Sequence, residues 1–173
     1  GVTGARLNVT DFIWHVDARL GRFGQGPPAS VSRPFDARRS GMVYGEGAAQ
    51  IVLESRAHAE ARGVRPIARL AGTASRYELS AEGQQPTGNS IGRAIRAAMA
   101  AADVSSDEIG CVNAHGNSTL EDDAAEAQAI HAVLGDVPVT APKSFFGNLG
   151  PGSGMVELAV SLIGMSHELV PLT

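Results

Sequence analysis

The chain has 173 residues and a net charge of −4, is rich in glycine and poor in aromatics, and holds a single cysteine, Cys111. That length suffices for one domain with a sizeable core, and the charge, with no basic tract, excludes an electrostatic surface for nucleic acid or an anionic membrane. One thiol excludes an internal disulfide framework and suits a reducing cytoplasm, and no window approaches the roughly twenty apolar residues of a membrane span.

The N-terminus, GVTGARLNVT, has no initiator methionine and no signal-like core. With the closing stretch ELVPLT, it reads as a piece cut from a longer protein. In residues 7–23, Phe12, Ile13, Val16 and Leu20 have the spacing of a short amphipathic helix. Residues 24–34 predict a loop from their Gly, Pro and Ser content. Residues 42–54, MVYGEGAAQIVLE, predict an extended, largely buried segment whose glycines mark a bulge or a close backbone contact. A helix over 55–63 ends at Gly63. The alternation at the start of 65–75 predicts a strand.

Further on, Ile91, Ile95, Ala98, Met99 and Ala102 share one face of a helix over 89–104. IGCVNAH, 109–115, is a short buried strand with Cys111 in its body, where an apolar setting makes a thiol an inert core residue. A helix over 118–135 opens on a capping box, Ser118 with Glu121, and stops at Gly135. A strand over 137–144 follows, then a helix over 152–168, apolar on most sides and so expected inside a layer. The alternation of strands and helices in this second half argues for a layered α/β fold with a largely parallel sheet.

In such sheets chemistry gathers at the carboxyl ends of strands. Two ends here carry unusual residues: His115-Gly116, and KSFFGNLGPGSG with Lys143 and Asn148. On neighbouring strands the three side chains face one cavity, where an imidazole, an ammonium and an amide together stabilise an enolate or oxyanion. The competing reading of His115 is a core histidine satisfied by backbone. The glycine-rich turn is either a phosphate cradle or a plain tight turn, and it has neither the Walker nor the dinucleotide spacing. Asp122, Asp123 and Glu126 are a metal or acid–base cluster, or, the favoured reading, acids complementing a helix N-terminus. Without a second histidine at ligand spacing, no metal and no cofactor is expected. His15, His58, His131 and His167 read as surface or packing residues.

Three stretches, in order, resemble the β-ketoacyl-acyl carrier protein synthases, the ketosynthases of the thiolase superfamily. SRPFDARRSGMVYGEGAAQIVLE (32–54) resembles S-R-P-F-D-x-x-R-x-G-x-V-x-G-E-G-A; VNAHGNSTLEDDAAEAQAI resembles N-A-H-G-T-S-T-x-x-x-D-x-x-E; PKSFFGNLGPGSGMVE resembles K-S-x-x-G-H-x-x-G-A-A-G-x-x-E. The resemblance implies a thiolase-like half domain over 1–173: a layered mixed sheet flanked by helices, without the final strands. Residues 1–35 are then a linker and helix from the junction with an N-terminal half. It also implies an acyltransferase of fatty-acid or polyketide synthesis that condenses an acyl thioester with malonyl-carrier protein. His115 takes the role of the histidine that aids decarboxylation and steadies the enolate, and Lys143 that of the supporting lysine. Asp123 and Glu126 match the acids of the following helix.

Positions in the second and third stretches depart from these patterns. Asn148 stands for the second histidine, Asn117 for a threonine and Pro151 for a glycine. Asn148 still donates a hydrogen bond to a carbonyl, as in the Cys-His-Asn condensing enzymes, but carries no proton. Cys111 does not match the family's nucleophile, so the isolated chain is expected to be inactive. The implied partners are an acyl carrier protein, the N-terminal half and a second subunit in a homodimer or heterodimer. The alternative is a non-catalytic chain-length-factor type of partner.

Overall fold

The computed structural model describes residues 2–5, 11–79 and 87–173. Two short ladders organise it. β1 (Val2–Ala5) pairs antiparallel with β2 (Gly47–Gln50), Val2 opposite Gln50 and Ala5 opposite Gly47. Between them lie α1 (Asp11–Arg19) and the one-turn α2 (Pro28–Val31). The Tyr44 hydroxyl donates to the Asp17 carboxylate and so ties the approach to β2 onto α1. Burial, then that carboxylate, pushes the Tyr44 phenol up to about 12.

α3 (Arg56–Ala61) starts where Ser55 Oγ accepts the His58 N–H at 3.2 Å, and ends before Gly63, whose φ is +67°. α4 (Asn89–Ala102) packs on α5 (Leu120–Leu134). β3 (Val112–Asn113), α5 and β4 (Val139–Thr140) form one crossover, with Val112 opposite Val139 and Asn113 opposite Thr140 in a parallel ladder. Parallel strands need such a helix because no tight turn can reverse and re-enter in the same direction. The crossover leaves the carboxyl ends of β3 and β4 side by side. α6 (Lys143–Phe146) and α7 (Ser153–Ser166) follow, with a 3₁₀ turn at Gly150–Gly152 between them.

α7 covers β1, β2 and β3. The Asn113 amide pins it there, donating to Glu157 O at 2.8 Å and Ser161 Oγ at 2.7 Å. The core is built largely of small residues, Ala114, Ala125, Ala129 and Ala141 among them, with Ile130 and Leu149. Small residues let backbones approach: at Gly88, φ +77°, a Cβ would lie 2.4 Å from Ala125 O.

Several expectations need correction. Residues 65–75 form no strand, and Ile67 and Leu70 are 77% and 64% exposed. A strand needs a ladder partner, and among the described residues no strand pairs with this stretch, which instead passes against α4 at Gly72. The 42–54 segment is buried only at its start: Met42 is buried, β2 alternates, and Val52 and Leu53 are exposed. Cys111 is exposed just before β3 rather than held in a core. α7 packs on one side only, leaving Leu158, Ile163 and Met165 exposed. Residues 24–34 include α2, whose Pro28 has no N–H to lose at a helix start. The described strands form two separate two-stranded sheets, β3–β4 parallel and β1–β2 antiparallel. The predicted 7–23 helix is seen as α1, and its residues before Asp11 lie outside the described ones. Among the described residues no helix is long and apolar enough to cross a membrane.

The start of α4 carries a pH dependence. Gly88, its N-cap, has no side chain to offer, and Glu78 supplies the acceptors instead. Glu78 Oε1 accepts Thr87 N–H at 3.0 Å and Thr87 Oγ1 at 2.6 Å, and Oε2 accepts Ser90 N–H at 2.9 Å. The Thr87 hydroxyl and the two N–H groups hold the carboxyl down at about 2, against an ordinary 4.5. A lowered carboxyl stabilises the fold above its ordinary value, and that contribution disappears as pH falls from about 4.5 through about 2. Amide exchange in the first turn of α4 should therefore accelerate over that window. In Glu78→Gln the dependence should vanish; a persisting one would assign it to another group.

Candidate active site

After β3 the chain turns through Ala114, His115, Gly116, Asn117, Ser118 and Thr119 into α5. The N–H groups of this turn point at carboxylates of the helix they lead into. His115 N–H donates to Glu126 Oε1 at 2.7 Å, Gly116 N–H to Glu126 Oε2 at 2.8 Å, and Asn117 N–H to Asp123 Oδ1 at 2.8 Å. The other Asp123 oxygen accepts Phe35 N–H at 2.9 Å, joining the 32–36 loop to the same anchor. Asp123 is 1% exposed and Glu126 9%. Burial pushes the Asp123 carboxyl above its ordinary value, while the Phe35 and Asn117 N–H groups and then Arg39 pull it back.

These acids therefore hold the turn; Asp123 also lies in the first turn of α5, as the helix-dipole reading expects, whereas Glu126 lies beyond it. The capping box is corrected. Thr119 is the N-cap, with its hydroxyl 3.0 Å from Asp122 Oδ2. Ser118 sits at φ +65°, donates to Val31 O and accepts Arg33 N–H. A residue turned left-handed to join two loops cannot also cap the helix. Among the described residues no group of three His, Cys, Asp or Glu is placed to hold a metal.

Gly116 is required by both conformation and space. Its φ is +46°, and a Cβ would lie 2.5 Å from Ala141 Cβ and 3.0 Å from Pro34 Cβ. Gly116→Ala should destabilise the chain by about 2 kcal/mol or more, from left-handed backbone strain plus overpacking. Urea unfolding measures this, and an unchanged midpoint would refute it.

Lys143 opens α6 directly after β4 and is 1% exposed. An ammonium has three N–H groups and no acceptor. Here one goes to His115 O at 2.6 Å, one faces His115 Nδ1 at 3.2 Å, and one meets the Glu157 carboxylate on α7. Full satisfaction is what allows a cation in so dry a place. It also sets the imidazole. A group that can only donate makes Nδ1 the acceptor, so the neutral ring of His115 carries its proton on Nε2. His115 itself is exposed. Sequence reasoning gives Glu157 no role at the site, although it closes the PKSFFGNLGPGSGMVE match and is the lone carboxylate in the otherwise apolar MVELAVSLIGM.

Asn148 is positioned by backbone. Its N–H donates to Val43 O at 2.7 Å and its carbonyl accepts Gly45 N–H at 2.9 Å, a bridge to the Met42–Gly45 stretch. The glycine before it, Gly147, has φ +73° and lies against Val43 O. The turn's N–H groups are engaged internally: Leu149 with Ser153 Oγ, Gly150 with Asn148 Oδ1, Gly152 with Leu149 O. That favours the tight turn over the phosphate cradle.

His115 and Lys143 thus meet directly, while Asn148 reaches their loop through Asn117, its Nδ2 2.8 Å from Asn117 Oδ1. The described cavities, about 850 and 280 Å³, are lined by none of the three. The three residues thus gather at the paired ends of β3 and β4, where His115 is exposed.

Residues 67–173 match the family described as beta-ketoacyl synthase, C-terminal domain. Among curated proteins, the oxytetracycline polyketide putative beta-ketoacyl synthase 1 of Streptomyces rimosus is 38% identical over 84% of this chain and 36% of its own length. The 3-oxoacyl-[acyl-carrier-protein] synthase 2 of Vibrio cholerae serotype O1 is 36% identical over 84% of this chain and 37% of its own. The crystal structure of a beta-ketoacyl synthase from Burkholderia phymatum STM815 superposes with a TM-score of 0.85 at 32% identity, covering 96% of this chain and 41% of that one. The chain thus spans little more than a third of the length of these curated relatives.

Proposed function

The chain belongs to the β-ketoacyl synthases, with its match in their C-terminal domain, and from that premise we propose that it supplies the decarboxylation half of a condensing site. The observation that carries this reading is Lys143 held against both His115 O and His115 Nδ1, which leaves Nε2 as the ring's donor on an exposed residue at the paired ends of β3 and β4.

The steps follow from that donor. Malonyl-carrier protein places its thioester oxygen on His115 Nε2–H. The C–C bond to the carboxylate breaks, CO₂ leaves, and the electron pair becomes an enolate whose oxygen the N–H stabilises. The enolate carbon attacks an acyl thioester on a cysteine supplied by the rest of the synthase. His115 and Asn148 hold the oxyanion, and collapse expels the thiolate and leaves a β-ketoacyl-carrier product. An acyl carrier protein, which the Vibrio relative bears in its name, is the proposed partner. A homodimer or heterodimer is the proposed assembly.

The test separates the chain from a complete synthase. Acyl- and malonyl-carrier protein mixed with the 173 residues alone should give no β-ketoacyl product, because no residue here holds the acyl group. The same mixture with the complete synthase should give product and CO₂. Product from the chain alone would refute this division of labour. A complete synthase with Gln, Gly or Ala at the nucleophile, and no product, would instead make this a chain-length-factor type of partner.

A further inference from the structure

Two departures from the family's patterns, Asn117 and Asn148, touch each other, and one backbone group decides how. Gly150 N–H lies 2.7 Å from the Asn148 side chain and can only donate, so the amide atom facing it is Oδ1. The Ser153 hydroxyl, at 3.4 Å, faces the same oxygen. Nδ2 of Asn148 must then point the other way, at Asn117, whose facing atom is therefore Oδ1, 2.8 Å off. That in turn sends Asn117 Nδ2 to Met42 Sδ at 3.5 Å. The second N–H of Asn148 has the same sulfur at 3.7 Å. Asn117 and Met42 are buried and Asn148 is half-buried, so the orientation is set inside the fold on a residue that is not fully enclosed.

The two N–H groups of Asn148 are consequently unequal. One is held by an amide oxygen in a short bond. The other rests on a thioether, a weak acceptor. We propose that Asn117 is a positioning residue for Asn148, fixing its amide so that an N–H and not the carbonyl faces the substrate, and that Met42 sulfur is the internal acceptor a thioester carbonyl displaces. The assignment rests on the condensing role proposed for this site. It explains why an amide can occupy the position without a proton to transfer: what the position needs is a donor of fixed polarity. Asn117 supplies the polarity and Met42 leaves the donor free to change partners.

The ¹⁵N-labelled chain tests this without any catalytic step, with the exposed Asn89 amide as internal reference. In the wild type, one Asn148 Nδ2 proton should exchange with water at least about tenfold more slowly than those of Asn89, as a buried hydrogen bond requires. Its partner should exchange faster than that. Asn117→Leu should release the slow proton to the reference rate. Met42→Leu, close in volume, should shift the fast proton's resonance and leave the slow one protected. The proposal is overturned if both Asn148 protons exchange at the Asn89 rate in the wild type, or if Asn117→Leu leaves them unchanged. The wild-type comparison stands even where Asn117→Leu fails to fold. Absence of condensation in a complete synthase would remove the functional premise while these signals remained, so the two failures are distinguishable.

Discussion

His115→Ala, placed in the complete synthase, is expected to slow decarboxylation of malonyl-carrier protein by about a hundredfold or more, the usual cost of losing one preorganised donor to a developing oxyanion. The proposed Nε2–H does little for the ground state, where the thioester oxygen bears little charge, and far more once the enolate forms. Rate constant and kcat/KM should therefore fall together. The variant is a fair test because His115 is exposed and its backbone keeps its bonds: its N–H still reaches Glu126 and its carbonyl still accepts from Lys143. CO₂ release measured at saturating substrate decides the matter. Equal rates in wild type and variant would end the claim that His115 acts on the substrate.

Lys143→Met should destabilise the 173-residue chain by about 3–5 kcal/mol, the cost of stripping one partner from a buried ion pair. Lys143 is 1% exposed and joins three groups at once: the Glu157 carboxylate, His115 O and His115 Nδ1. Its removal leaves a carboxylate with no cation against it and a carbonyl without its donor. Methionine fills most of the volume, so the loss reports charge and hydrogen bonding more than a cavity. Urea denaturation gives the figure. Adding Glu157→Leu to Lys143→Met should recover much of the loss, because apolar replacement of a whole buried pair is far cheaper than breaking it. A single variant within about 1 kcal/mol of wild type would put this contact in the class of surface pairs.

The candidate positions His115 and Lys143 were legible at strand ends, and so was the crossover that brings them together. Short buried stretches bounding an acidic, alanine-rich helix can close only as parallel strands, and that puts His115 and Lys143 at one edge. The glycines of 42–54 were legible as close contacts, since a Cβ at Gly45 would run into Phe146 O and one at Gly47 into the Leu149 side chain. Orientation was not legible. Whether Asp123 and Glu126 serve the helix or the turn depends on where the preceding loop folds back, and helical spacing is silent on that. Glu157 lies 14 residues beyond Lys143 and meets it only because α7 returns across β3. Strand formation at 65–75 likewise hangs on a partner, since a ladder belongs to two segments and a sequence pattern describes one. Periodicity and turn chemistry are local, so the sequence by itself determined the longer helices and the residue types at the strand ends. Ion pairs, amide polarity and exposure are made between segments, and the tertiary structure alone decided that one lysine fixes the tautomer of His115 and one glycine N–H the direction of Asn148.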